Sequence, residues 1–344
     1  MKVSDLGQFG LIDVIAKMIR EGRDNRADSW KNLIDGVGDD CAVWRGESLN
    51  QLAKVDCQVQ GVHFDLDIIS WEELGWKALA VNLSDIAAMG GVPHYALVSL
   101  GLPLNTEVED VVSLYKGILK LAKSSGTAIV GGNVSGSPIT FVDISVIGRT
   151  GNPEGKYLAR SSAEPGDRIA VTGWLGTAAA GLEMLSQKLQ LDSSVAGCLR
   201  QAFTQPEPRL REGQILVEKG VKAGIDISDG LLSDLGHICR ASAVGAVIEM
   251  ERLPIKTEVK SAFARKSFRM ALSGGEDYQL LFTAKAAVIE RVRKASSYPI
   301  TVIGEIVAEN VGKITVVNEE GKRLHPKMMG WDHFKSGQED SYKL

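Results

Sequence analysis

Aspartates recur at the ends of apolar segments in this chain: Asp39 and Asp40 in GVGDD, Asp56 in KVDCQ, Asp85 in NLSDIAAMGG, and Asp226 and Asp229 in IDISDGLLSD. Singly, each reads as a turn or helix cap, because Ser and Asp are favoured where helices begin. Collectively they are carboxylates beside buried segments, which are costly to desolvate unless a cation balances them. An oxygen-only donor set without His or Cys support suits a hard ion, Mg²⁺ before Zn²⁺. Two glycine-rich stretches, GGNVSGS (131–137) and VTGWLGTAAAG (171–181), each follow a predicted strand, where exposed amides can hold phosphate. Neither carries GxxxxGK[ST], and no HRD or DFG set is present. A nucleotide held here would therefore be held through aspartate-bound metal, not a P-loop lysine. Arg160 in LARSSAEPGD reads either as a phosphate contact or as an exposed linker arginine.

Three further places could carry chemistry. In SGGEDYQLLF (273–282), Glu276 and Asp277 interrupt a strand-like run after two glycines, and a bulge would explain them as well. His63 in GVHF lies near the acidic turns, where a core or capping role is the alternative. GWDHF (330–334) sets two aromatics and a histidine in a tail that either docks on the body or contacts ligand.

The elements that must position these groups follow from periodicity. VNLSDIAAMGG (81–91) reads as a strand running into a helix, or as a helix from residue 71 broken near Ser84-Asp85. IDISDG (225–230) repeats the strand, Ser-Asp, helix pattern in the second half. TAIVGG reads as a strand ending in a glycine loop, FVDISVIGR and RIAVTG as strands, and 107–124, 229–242 and 286–296 as helices. TGNPEGKYLARSSAEPGD concentrates Gly, Pro and charge, so the junction falls there, giving domains 1–150 and 151–344.

Composition narrows the class. The 344 residues carry a net charge of −4, 44% apolar residues, and Gly 37 against Pro 10, as expected for a globular α/β or α+β protein. The acidic balance argues against a nucleic-acid surface, and no run approaches the ~20 apolar residues of a membrane span. Cys41, Cys57, Cys198 and Cys239 are far apart without CxxC spacing, which suggests reduced core thiols. Residues 1–23 read as an amphipathic helix interrupted by acids, not a signal peptide, so a cytoplasmic protein is expected.

GVGDDCAV, GVHF, GWKALAVNLSDIAAMGGVP, DISDGL, GGEDYQLLF and GWDHF, in that order, resemble the thiamine-monophosphate kinases along nearly the whole chain. Gly-Asp-Asp and Ser-Asp elements occur across their superfamily, which includes aminoimidazole ribonucleotide synthetase; NLSDIAAMGG, GGEDYQLLF and GWDHF are more specific to the kinases. The resemblance implies a two-domain α+β architecture of the aminoimidazole ribonucleotide synthetase type, with mixed sheets flanked by helices, paired as a homodimer. It implies ATP as co-substrate and Mg²⁺ held by Asp40, Asp56, Asp85, Asp226 and Asp229, with the amide of Asn133 as a further ligand. Gly132, Asn133, Arg160 and Ser228 match nucleotide contacts, and His63, Glu276 and Trp331 match contacts to thiamine monophosphate. The implied reaction is direct in-line transfer of the γ-phosphoryl group to thiamine monophosphate. It needs no strong general base, and no catalytic side chain is assigned. The chain departs from the family pattern in two places: Lys54 and Val55 stand where Ser or Thr often precedes the aspartate, and Asn133 stands where Gly-Gly-Asp is common. Two rivals remain: another ATP-dependent member of the superfamily, and a non-catalytic thiamine-phosphate or nucleotide sensor.

Overall fold

The computed structural model describes residues 33–35, 42–45, 49–324 and 330–331. The amphipathic segment 1–23, the Asp39-Asp40 turn, Cys41 and the tail beyond Trp331 lie outside the described residues.

The first half forms a six-stranded mixed sheet in the order β1-β2-β3-β6-β4-β5. Its strands are β1 (Leu33–Asp35), β2 (Ala42–Arg45), β3 (Asn50–Val59), β4 (Gly91–Leu102), β5 (Ala128–Gly136) and β6 (Phe141–Thr150). Only β4 and β5 run parallel; the other neighbours are antiparallel. The alternation along β6 is strict, with Val142, Ile144 and Val146 buried on one face. Against that face packs α1 (Trp71–Ala88), with α2 (Val108–Ser125) alongside it.

The second half forms a seven-stranded mixed sheet in the order β13-β12-β9-β11-β7-β10-β8. It comprises β7 (Arg168–Thr172), β8 (Ala223–Asp226), β9 (Gly245–Glu249), β10 (Leu280–Ala284), β11 (Ile300–Val307), β12 (Ile314–Val317) and β13 (Arg323–Leu324). Its helices are α3 (Thr177–Ser186), α4 (Ser193–Thr204), α5 (Leu210–Glu218), α6 (Leu231–Ala241), α7 (Thr257–Phe263), α8 (Lys266–Ser273) and α9 (Ala286–Ala295). The architecture is α+β. Among the described residues, no helix is long and apolar enough to cross a membrane. Of the described cysteines, Cys57, Cys198 and Cys239 are free thiols, and only Cys239 is buried.

Two expectations are corrected. Residues 81–88 contain neither a strand nor a break; they are the second half of α1, which runs continuously to Ala88. Ser70 starts it with a reciprocal box: its hydroxyl accepts from the Glu73 amide, and the Glu73 carboxylate accepts from the Ser70 amide at 2.8 Å. Buried positions then run unbroken from Ala78 to Ala88, because β3 and β6 cover one side while α5 and β8 of the second half cover another. A helix enclosed all round shows no amphipathic stripe, so a short apolar run within it reads as a strand. The second correction concerns GGNVSGS: residues 131–136 are the end of β5, paired in parallel with Leu97–Leu102.

The two N-terminal helices cross backbone to backbone. A Cβ at Gly75 would run into the Leu114 carbonyl, and one at Gly117 into the Glu72 carbonyl. Gly75→Ala should therefore force α1 and α2 apart and lower unfolding stability by about 1–3 kcal/mol. A urea titration monitored by far-UV circular dichroism reads this as an earlier midpoint; an unchanged midpoint would refute the close crossing.

Candidate active site

The site forms where α1 meets the C-terminal end of β8. Ser84 and Asp85 lie on the buried C-terminal half of α1, and Asp226 is the last residue of β8. The Ser84 hydroxyl donates to Asp226 Oδ2 at 2.6 Å across the seam between the halves. Asp85 and Asp226 are only 7% and 2% exposed. Lys54 on β3 reaches Asp85 Oδ2 at 3.0 Å and Asp56 Oδ2 at 3.4 Å.

The carboxylates act on one another. Burial pushes Asp85 well above the usual carboxylate range; Asp226 and Asp56 add to the shift and Lys54 opposes it. Asp226 is raised by burial and Asp56, against the Ser84 hydrogen bond, Lys54 and Arg160. Asp229 is pushed up to about 7, by burial first and then by Asp226, Asp56 and Glu276. Two like charges ~5 Å apart repel by about 3 kcal/mol at an effective dielectric near 20. Held at neutral pH, such a cluster favours a divalent cation, and its all-oxygen donors fit Mg²⁺.

Beyond β8 the chain continues antiparallel to the segment leading into β10. Ile227 donates to the Gln279 carbonyl, Tyr278 to that of Ile227, and Glu276 to that of Ser228, at 2.8, 2.9 and 2.8 Å. This pairing sets Glu276 beside Asp229 and requires left-handed backbone at Glu276 (φ 62) and Tyr278 (φ 47). Asp277 turns inward to cap α3, accepting from the Gly176 amide at 2.7 Å and the Ala178 amide at 3.3 Å. The segment is thus a lead-in to β10 that doubles as a helix cap.

Other predicted site residues are placed as follows. Arg160 opens a short 3-10 turn, and its charge acts on Asp226, Asp229, Asp234 and His237. The Trp331 amide donates to the Asp229 carbonyl at 3.0 Å, which sets Trp331 beside the acidic turn. His63 lies in a tight turn after β3, where its Nδ1 accepts from the Val59 amide at 3.1 Å. Gly132 allows β5 to approach β4, since a Cβ there would strike the Val98 carbonyl. Asn133 is exposed and falls in register with Ser99, Asp143 and Cys57; Asp56 pairs with buried Ile144 and belongs to the opposite face. The structure thus brings Asp56, Asp85, Asp226, Asp229, Ser228, Arg160, Glu276 and Trp331 to one region, with His63 in the turn that follows β3 and Asn133 on the other face of the first sheet.

Sequence reasoning passed over three residues. Asp234 and His237, one helical turn apart on α6, come within 4.8 Å of Asp229, and Asp234 accepts from the Gly230 amide at 3.0 Å. Their i, i+3 spacing behind DISDG was the available signal. Lys77 on α1 is fully buried, pairs with Glu276 and lies 3.6 Å from the Phe203 ring centroid. Nothing in GWKALAV distinguishes it from an exposed helical lysine.

Family models for the "AIR synthase related protein" N-terminal and C-terminal domains match residues 38–150 and 164–317. The thiamine-monophosphate kinase of Aquifex aeolicus is 35% identical over 337 residues, 97% of this chain and 100% of that protein. The chain belongs to the thiamine-monophosphate kinase family. The Escherichia coli K12 kinase is 36% identical over 95% of this chain and 98% of its own length. A solved structure described as AaThiL complexed with AMPPCP and TMP superposes with a TM-score of 0.83 at 33% identity, covering 97% of this chain and 99% of that one. In this thiamine-monophosphate kinase family member, the N-terminal match ends where β6 ends, and the C-terminal match begins just before β7.

The Lys77–Glu276 pair ties α1 to the second half. Removing only the anion strands a buried ammonium, so Glu276→Gln should cost about 3 kcal/mol of unfolding free energy. Adding Lys77→Met should restore much of it, as read by urea denaturation of both variants. Equal stability of Glu276→Gln and the wild type would show that the ammonium does not depend on Glu276.

Proposed function

We propose that the protein is a cytoplasmic, Mg²⁺-dependent kinase that transfers the γ-phosphoryl group of ATP directly to thiamine monophosphate, giving thiamine diphosphate and ADP. One observation carries the reading: carboxylates from both halves converge at one buried seam, in a chain that matches thiamine-monophosphate kinases over nearly its full length. The AMPPCP and TMP of the related AaThiL structure support the same pair of substrates.

Asp56, Asp85, Asp226 and Asp229 are the residues proposed to hold Mg²⁺, with Asp40 assigned by resemblance. When bound, the ion would neutralise phosphate charge and stabilise the equatorial oxygens of the group in transfer. The chain does the positioning. Ser84 holds Asp226, Arg160 offers a guanidinium beside the acids, and Ser228 lies in the turn that joins β8 to α6. Asn133, in the outward row, is proposed as a nucleotide contact with Gly132 and not as a ligand shared with the four aspartates. Glu276, Trp331 and His63 are assigned to thiamine monophosphate. The attacking phosphate oxygen is largely ionised at neutral pH, so transfer requires alignment more than a base. A homodimer is supported by the outer face of the first sheet, where Val55, Tyr95 and Leu97 are 55%, 49% and 40% exposed.

A non-catalytic sensor is the second reading, favoured by the ammonium of Lys54 between two of the carboxylates. ADP formation from ATP and Mg²⁺, with and without thiamine monophosphate, separates the two. The kinase reading predicts ADP and thiamine diphosphate in equal amounts, only when both substrates are present. Asp85→Asn should lower turnover by about two orders of magnitude while leaving the fold intact. Trp331→Ala should raise KM for thiamine monophosphate roughly 2- to 30-fold with little change for ATP, and Trp331→Phe should recover most of the loss. Binding of both ligands without ADP formation would establish the sensor instead.

A further inference from the structure

Lys54 stands on β3 in the row that faces α1, between the buried residues Leu52 and Gln58. Its side chain is only 22% exposed although a lysine stem could extend to water. Its ammonium is held against Asp85 Oδ2 at 3.0 Å and Asp56 Oδ2 at 3.4 Å, and its charge also acts on Asp226. We infer that Lys54 is a resident cation that takes the place of one divalent ion in the phosphate site.

An ammonium is a compact point charge with three donors, able to bridge two carboxylates from within the chain. A divalent ion sharing Asp56 and Asp85 would need contacts near 2 Å to the oxygens the ammonium already faces, and would be repelled by it. The protein itself therefore supplies one of the cations that balance Asp56 and Asp85, and the divalent ions that come with the nucleotide are those their remaining oxygens share with Asp226 and Asp229, where Arg160 is spread over several acids. The inference rests on the phosphoryl-transfer reading and specifies the cation requirement of that site: fewer divalent ions per chain than its carboxylates alone would admit.

The test counts metal directly. Mn²⁺ bound per chain is measured by electron paramagnetic resonance on the full-length protein with saturating AMPPCP, for wild type, Lys54→Ala and Lys54→Arg. Lys54→Ala should bind one more Mn²⁺ per chain than wild type, and Lys54→Arg, which keeps a cation, should match wild type. Without metal, Lys54→Ala should melt below wild type, and Mn²⁺ should raise its Tm by more than it raises that of wild type. If Lys54→Ala fails to fold by circular dichroism, Lys54→Met, which keeps the stem without the charge, carries the same expectations. Equal Mn²⁺ counts and equal Tm shifts in wild type and the uncharged variant overturn the inference while leaving the kinase reading intact. A wild type that binds neither Mn²⁺ nor AMPPCP overturns both.

Discussion

Burying carboxylates is the constraint on which the rest of this molecule depends. Asp85 and Asp226 lie almost out of reach of water, and Asp226, which closes a strand of the second half, depends on the first half for its side-chain partner. Asp226 accepts from Ser84 of the first half, and Asp85 is paired with Lys54 on a strand that lies against its own helix. An unpaired ionised carboxylate in such a place costs several kcal/mol, so the seam holds these acids only because the first half brings a hydroxyl and an ammonium to them. That cost is also what prepares the site to receive a cation.

The central helix is the means. It must be enclosed to bring Ser84 and Asp85 to β8, and the sequence gives it small residues where other backbones approach. Gly75 admits α2, and Gly213 of α5 lies against the Ala87 carbonyl. Contacts across the seam then fix how the halves meet. Arg200 donates two hydrogen bonds to the Glu73 carboxylate at 2.8 and 2.6 Å, Trp76 donates to the Pro206 carbonyl at 2.8 Å, and Lys77 pairs with Glu276. Phe203 of the second half joins the core of the first. The acid cluster is thereby set by three polar anchors and a shared apolar core, not by loops.

Much of this was legible in the residues. Alternation marked β6, the Ser-Asp-Gly punctuation of IDISDG marked the turn after β8, and the recurrence of aspartate beside apolar runs pointed to a cluster before any geometry was known. What escaped had physical causes. Ser84-Asp85 imitates a helix cap because Ser and Asp usually end at solvent or at a free amide; here tertiary partners satisfy both inside a helix. Gly131 and Gly132 imitate a loop because glycine is most often read as punctuation, whereas Gly132 serves the approach of two parallel strands. Lys77 and Asp234 depend on neighbours more than a hundred residues away or on a helical face that only folding defines. Asn133 matches a motif, yet its strand register turns it to the outer face, a distinction that one residue of slip would reverse.

The central claim is that acids from both halves form one cation-dependent phosphate site. Calorimetric binding of AMPPCP to wild type and Asp226→Asn, each at limiting and saturating Mg²⁺, tests it most directly. The account predicts that Mg²⁺ strengthens AMPPCP binding to wild type, and that this dependence is lost in a folded Asp226→Asn variant. Mg²⁺-dependent binding of equal strength in the variant would contradict it, by placing the nucleotide away from the seam.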